Sequence, residues 1–100
     1  MHAGIVLKLH VHFEAGDLRV DEVVEGATPE EVVARMQQRV AQEAGFLAGA
    51  FIRRMTPLQF AQEATRRYNA ALKGEAPLPT SCSQFLQMMR DRNFATLLEE

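Results

Sequence analysis

Hydrophobic residues occupy every second position in the first segment of the chain, and polar residues fill the gaps between them. The apolar positions are Ile5, Leu7, Leu9, Val11 and Phe13, and the polar residues between them are Lys8, His10 and His12. Successive side chains of a β-strand point to opposite faces, so this run predicts a strand with one apolar and one largely polar face. A second strand-like run follows after residues 14–17 and predicts an antiparallel hairpin.

The apolar positions of the two predicted strands also suggest a register. Pairing Phe13 with Leu18 keeps apolar side chains on a common face and places His10 opposite Asp21. A two-stranded hairpin cannot bury such a face by itself, so later segments must cover it. The side chains expected on this face are Ile5, Leu7, Leu9, Val11, Phe13, Leu18, Val20 and Val24.

Capping signals predict three helix starts. The segment Thr28–Glu31 (Thr-Pro-Glu-Glu) combines a capping hydroxyl, a proline at the first helical position and a glutamate suited to a reciprocal cap. The segment Thr56–Gln59 repeats the signal, and Thr80 or Ser81 can cap a last helix. Residues 94–98 are then expected to form either another helical turn or a short strand that closes on the hairpin.

Apolar residues recur three or four positions apart from Val33 to Met55, which is the spacing of one helix face. Glycines interrupt this stripe, and each costs about 1 kcal/mol in a helix interior. We expect one long helix that reaches Arg54. The alternative is a helix that stops at Gly45, followed by a buried third strand over residues 46–52.

These patterns predict a single small globular α+β domain over residues 1–100. Its N-terminal antiparallel hairpin, with or without a third short strand, is expected to be covered on one face by about three helices. The chain is 47% hydrophobic and 24% charged, which is typical of a globular rather than a disordered protein.

The net charge, the length of the apolar runs and the cysteine count limit the partners and the location that we expect. The formal net charge is −2, whereas proteins that hold phosphate backbones usually carry a basic excess, so nucleic acid is disfavoured as the main partner. No apolar run is long enough to cross a bilayer, and no signal-peptide pattern is visible. A single cysteine fits a reducing compartment, so a cytoplasmic protein is expected.

The two histidines of the first strand are candidate metal ligands. His10 and His12 should project from one face of the strand, with Asp21 across the hairpin. Two imidazoles and a carboxylate are ligand types of open zinc sites, where a bound water becomes nucleophilic near neutral pH. The simpler interpretation is the solvated face of a two-sided hairpin, which alternation alone explains. No cofactor is predicted.

The arginines occur as doublets, Arg53-Arg54 and Arg66-Arg67 among them. Collected on one side of the fold, they would form an anion-binding patch beside a helix N-terminus. Solvated helix faces, balanced by acidic neighbours such as Glu63, are the simpler interpretation. Aromatic residues that could stack on single-stranded nucleic acid do not interleave with these doublets.

Cys82 lies in the predicted first turn of the last helix, where backbone N–H groups can lower a thiol pKa and make a nucleophile. A catalytic cysteine also needs a base, and the sequence places no histidine near it. We therefore expect Cys82 to be a structural residue.

The short stretch that follows Gly45 carries four large apolar residues, Phe46, Leu47, Phe51 and Ile52. On a helix they point in several directions, and a three-helix cover on one hairpin cannot bury all of them. They therefore predict a self-association surface. The alternative is a central helix that is buried all round within the monomer.

A hairpin that leads into residues 26–31, Gly-Ala-Thr-Pro-Glu-Glu, resembles the opening of small bacterial modules such as the HicB-like antitoxins. The resemblance is confined to this segment; it implies a small regulatory protein and assigns no role to any residue.

Glycine-rich phosphate loops, nucleophile elbows and zinc-protease helix motifs are absent from the sequence. We therefore expect a non-enzymatic interaction or regulatory module, a homodimer that acts through a protein partner. The alternatives are a small metal-binding protein or metal-dependent hydrolase that uses the histidine pair, and an anion or nucleic-acid binder that uses the arginine doublets.

Overall fold

The computed structural model describes residues 7–15 and 18–99, which form an antiparallel sheet and four helices. In chain order the elements are β1 (Leu7–Ala15), β2 (Leu18–Gly26), α1 (Pro29–Glu43), α2 (Phe46–Arg53), α3 (Pro57–Leu72), α4 (Cys82–Asp91) and β3 (Ala95–Glu99). The predicted α+β fold is confirmed, with one helix more than expected. The predictions for Ile5 and for the turn at Gly16 and Asp17 lie outside the described residues.

β1 is the central strand of the sheet, whose order is β2-β1-β3. Of the two alternatives for residues 94–98, the short strand is observed and the helical turn is not, since Ala95–Glu99 forms β3. β3 runs antiparallel to β1, with His10 opposite Thr96. The His12 N–H donates a hydrogen bond of 2.8 Å to the carbonyl of Phe94 and extends this pairing.

The hairpin register differs by two residues from the expected one. Val20, not Leu18, lies opposite Phe13, because the strands pair as far as Ala15 opposite Leu18. Residues 14 and 15 were expected in the turn, but as strand residues they add backbone hydrogen bonds to the ladder. Since the shift is an even number of residues, each strand position keeps its predicted face of the sheet.

The three predicted helix starts are confirmed. The hydroxyls of Thr28 and Ser81 each accept a hydrogen bond from the backbone N–H three residues further on. Thr56 and Gln59 form a reciprocal capping box. These caps satisfy N–H groups that have no partner within their own helix, and they fix where α1, α3 and α4 begin.

The core lies between one face of the sheet and three of the helices. Its sheet residues come from the alternating positions that the sequence marks as apolar, and α1, α3 and α4 supply the rest. The larger members are Leu9, Val11, Phe13, Val20, Val24, Val32, Val33, Met36, Val40, Phe60, Phe85, Leu86 and Met89. α2 contributes no side chain to this fully buried set, since its buried residue is Gly49.

The long helix expected up to Arg54 is broken into two helices at Gly45. Gly45 has φ +94° and ψ 177°, a conformation that residues with a Cβ rarely adopt. The following segment is helical, so the alternative of a third strand over residues 46–52 is also wrong. A Cβ on Gly49 would lie 2.5 Å from the carbonyl oxygen of Ala41, so glycine there allows α2 to lie close against α1.

The substitution Gly45→Ala distinguishes the broken helix from a continuous one by the sign of its effect. In a continuous helix alanine would stabilise the protein by about 1 kcal/mol. At the observed backbone conformation we expect it to cost about 1–3 kcal/mol in the free energy of unfolding. Apart from the two neighbouring residues in the chain, no described heavy atom lies within 4 Å of the added Cβ, so the cost measures backbone strain. Urea denaturation followed by circular dichroism measures it, and a stabilised variant would contradict the break.

Candidate functional site

The outward face of α2 carries the most exposed large apolar side chains among the described residues. Phe46 is 89% exposed, Leu47 81% and Phe51 66%, and the small Ala50 is exposed beside them. We call these four residues the α2 face. The other exposed large apolar residues of the described chain are at most 56% exposed and are spread over the sheet, α3 and the α3–α4 connection.

Helical spacing explains why this face points to solvent. Leu47, Ala50 and Phe51 stand at positions i, i+3 and i+4 and therefore share one side of α2. Gly49 and Ile52 occupy the opposite side, where Gly49 contacts α1 and Ile52 packs partly against the core. Of the four residues predicted as an interface, three are thus exposed, and Ile52 is turned inward.

A groove of about 370 Å³ lies beside the α2 face. Its walls come from α2, α3 and the C-terminal part of α1, and they are mostly apolar. Phe51 belongs to both the α2 face and the groove, so the two form one continuous apolar surface. Charged residues at the groove are Glu43, Glu63 and Arg67. The apolar lining residues are Val40, Ala44, Ala48, Phe51, Ile52, Met55, Phe60 and Ala64.

The predicted anion-binding arginines lie around this surface. Arg53 is the last residue of α2, and Arg54 follows it and lines a shallow hollow together with Arg66. Arg66 and Arg67 share one acidic partner, because Glu63 forms ion pairs of 3.2 Å and 3.4 Å with them. Exposed pairs of this kind contribute little to stability, but they lower the net positive charge of the patch.

Gln37 fixes the end of α2 from inside the molecule. Its buried side-chain amide donates hydrogen bonds of 2.7 Å to the carbonyl of Ile52 and 2.8 Å to that of Met55. These carbonyls lie in the last turn of α2 and just beyond it. Sequence reasoning missed Gln37; the available signal was a polar residue four positions after Val33, on the buried side of α1.

His10 and His12 lie on the face of the sheet that the helices leave open. Their ring centroids are 5.3 Å apart, and His10 Nε2 lies 3.3 Å from Asp21 Oδ1. Asp21 stands opposite His12, whereas the predicted register placed it opposite His10, so the His10–Asp21 contact is diagonal. In the described part of the chain, no group of three or more His, Cys, Asp or Glu residues is placed to hold a metal ion. Metal binding by this trio stays a prediction.

Cys82 is a free, buried thiol at the start of α4. Burial raises the pKa of the Cys82 thiol, and the negative charge of Glu30 raises it further. Both effects oppose the thiolate form that a nucleophilic cysteine needs. The geometry therefore supports the structural role expected for this residue.

Comparisons with known proteins give no family for the chain. No protein-family model matches it, and neither a curated protein nor a solved structure matches it significantly. Among the helices that the structure describes, none is long and apolar enough to cross a membrane.

Replacing Gln37 by leucine should loosen α2 and destabilise the protein. The variant removes both hydrogen bonds to the end of α2, and we expect a loss of about 1–3 kcal/mol in the free energy of unfolding. Gln38→Leu, at the exposed neighbouring position on α1, is the matched control and should change stability by less than about 0.5 kcal/mol. Equal urea midpoints for the two variants would show that the Gln37 contacts do not hold α2.

The Cys82 thiol should react slowly with Ellman's reagent in the native protein. At about pH 8 an ordinary exposed thiol is partly ionised, whereas the raised pKa and the burial of Cys82 keep it protonated and inaccessible. We expect the native rate to be at least about tenfold below that of the same protein unfolded in urea. Equal rates in the two states would contradict the buried, protonated thiol.

Proposed function

We propose that the protein is a non-enzymatic interaction module that forms a homodimer through the α2 face and its groove, and that acts on a protein partner as that dimer. The observation that carries this proposal is the exposure of Phe46, Leu47 and Phe51 on a helix that is fixed in place. A contiguous apolar patch of this kind on a small protein is typical of a protein–protein contact.

The energy available from this surface fits a dimer of moderate affinity. Burying a large apolar side chain contributes about 1.5–3 kcal/mol relative to leaving it in water. A symmetric dimer buries two copies of each of the three residues, against a cost of about 4–15 kcal/mol for lost translational and rotational freedom. These two terms allow a wide range of affinities that includes the micromolar range, and we expect a dissociation constant there.

The area of the patch, together with the adjoining groove, also fits an interface of standard size. An aromatic side chain buries about 150–250 Å² on full burial, so two phenylalanines and a leucine supply roughly half of the 800 Å² per partner of a standard interface. The adjoining groove, with its apolar walls and charged rim, can supply the remainder. An apolar centre with a polar border is the usual anatomy of such a contact.

A binding role rather than catalysis is supported by the state of the reactive groups described here. Cys82 is buried with a raised pKa, and Glu63 at the groove is engaged by two arginines. A free thiol in a chain with one cysteine is also typical of a reducing compartment, which supports a cytoplasmic location.

The double variant Leu47→Ser/Phe51→Ser should weaken the dimer. Both residues are exposed, so the monomer should keep its stability while the dissociation constant rises at least about tenfold. Leu72→Ser is the matched control, because Leu72 is a 56% exposed leucine at the end of α3 and outside the α2 face. Sedimentation velocity over a concentration series measures the constants. A wild-type protein that stays monomeric well above micromolar concentration would refute the proposal.

A further inference from the structure

We propose that the two copies of this dimer pack their α2 helices antiparallel, about a two-fold axis close to Ala50, with Arg54 of each copy beside Glu43 of the other. This arrangement rests on the proposed dimer and specifies how the second copy is seated. It follows from the charges at the two ends of α2 and from the side chains between them.

The two ends of α2 carry opposite charges. Glu43, the last residue of α1, lies just before α2, and its side chain is 63% exposed. Arg54 follows the end of α2 and is exposed. Within its own chain Glu43 lies 3.7 Å from Arg39, but the shorter contact of Arg39, 3.0 Å, is with Glu22. Glu43 can therefore accept a second cation.

These end charges select the direction of the partner helix. Antiparallel packing brings the acidic end of one α2 to the basic end of the other, twice per dimer. Parallel packing brings glutamate to glutamate and arginine to arginine, and like charges at close range disfavour a complex. Charge complementarity therefore favours the antiparallel arrangement.

The middle of α2 is small enough for close packing. In a two-fold pair the residues on the axis meet their own copies, so the central residue limits how closely the helices approach. Ala50, near the centre of this eight-residue helix, is exposed between Leu47 and Phe51. A small central residue flanked by two large apolar ones allows Phe51 of each copy to pack beside Leu47 of the other.

A lipid surface and an open head-to-tail chain fit these observations less well. The arginines around the apolar surface would attract anionic lipid, but Glu43 and Glu63 at the groove and the net charge of −2 oppose it, whereas a second copy of the chain can satisfy both signs of charge. Head-to-tail contact would join the α2 face of one copy to a different surface of the next and lead to rings or filaments. Both remain distinguishable results of the experiment below.

Charge reversal tests the arrangement directly. Glu43→Arg and Arg54→Glu should each weaken the dimer about three- to tenfold, because each removes two exposed ion pairs per dimer. The double variant Glu43→Arg/Arg54→Glu restores opposite charges across the interface, and its dissociation constant should return to within about threefold of wild type. Arg53→Glu is the matched control, since the guanidinium of the exposed Arg53 lies toward Gly49 and its reversal should not be rescued by Glu43→Arg.

A disulfide provides the second readout. Ala50→Cys should form a disulfide-linked dimer under mild oxidation, because residues beside a two-fold axis come within the Cα separation of about 4–7 Å that a disulfide needs. The native Cys82 is buried and should not compete. Arg54→Cys should not cross-link to itself, because Arg54 lies about one helical turn from the axis and its two copies would be about 12 Å apart along the helices, too far for a disulfide.

The results separate this inference from the proposed function. A wild-type dimer in which Ala50→Cys does not cross-link, or in which the two reversals show no mutual rescue, overturns the antiparallel arrangement and leaves the dimer standing. Efficient self-cross-linking of Arg54→Cys would indicate parallel helices and would overturn it as well. A wild-type monomer, or a monomer that co-sediments with anionic phospholipid vesicles, would overturn both proposals, and concentration-dependent growth beyond a dimer would indicate head-to-tail association.

Discussion

The break at Gly45 is the constraint on which the rest of the candidate site depends. An eight-residue helix is too short to be stable on its own in water, so α2 persists only because tertiary contacts hold it. The turn at Gly45 folds it back on α1, Gly49 permits the close approach, and Gln37 binds the carbonyls at its far end. Together these contacts fix a helix whose outer face stays in water.

The core is complete without the outer face of α2. The apolar side of β1 and β2 packs beneath α1, α3 and α4, and the large buried side chains come from these elements. The burial of Phe46 and Leu47 is therefore not needed for folding within one copy. Apolar residues that folding does not use, held on an ordered helix, remain available for binding a second surface.

Sequence patterns predicted the faces of the sheet and the starts of the helices, because both depend on local spacing. Alternation assigned Leu9, Val11 and Phe13 to the core, and the caps marked the beginnings of α1, α3 and α4. The predicted hairpin register was wrong by two residues. An even shift leaves every side chain on its predicted face, so the hydrophobic pattern alone cannot detect it.

The candidate site was predicted only in part for similar reasons. A glycine lowers the stability of a helix by only about 1 kcal/mol, so its presence in a helical stripe does not reveal whether the helix continues or breaks. α1 and α2 were therefore expected as one helix. Phe46, Leu47 and Phe51 were recognised because they exceed what the core can bury. The role of Gln37 depends on partners 15 and 18 residues away in the chain, which no local pattern encodes.

A dilution series followed by NMR of the aromatic and methyl groups tests whether a second copy covers the α2 face in solution. If a second copy covers this face, the signals of Phe46, Leu47 and Phe51 will shift together as the protein is diluted through the micromolar range, while those of Leu72 and His12 will stay constant. Signals of the α2 face that do not move with concentration, or shifts confined to the open face of the sheet, would contradict it.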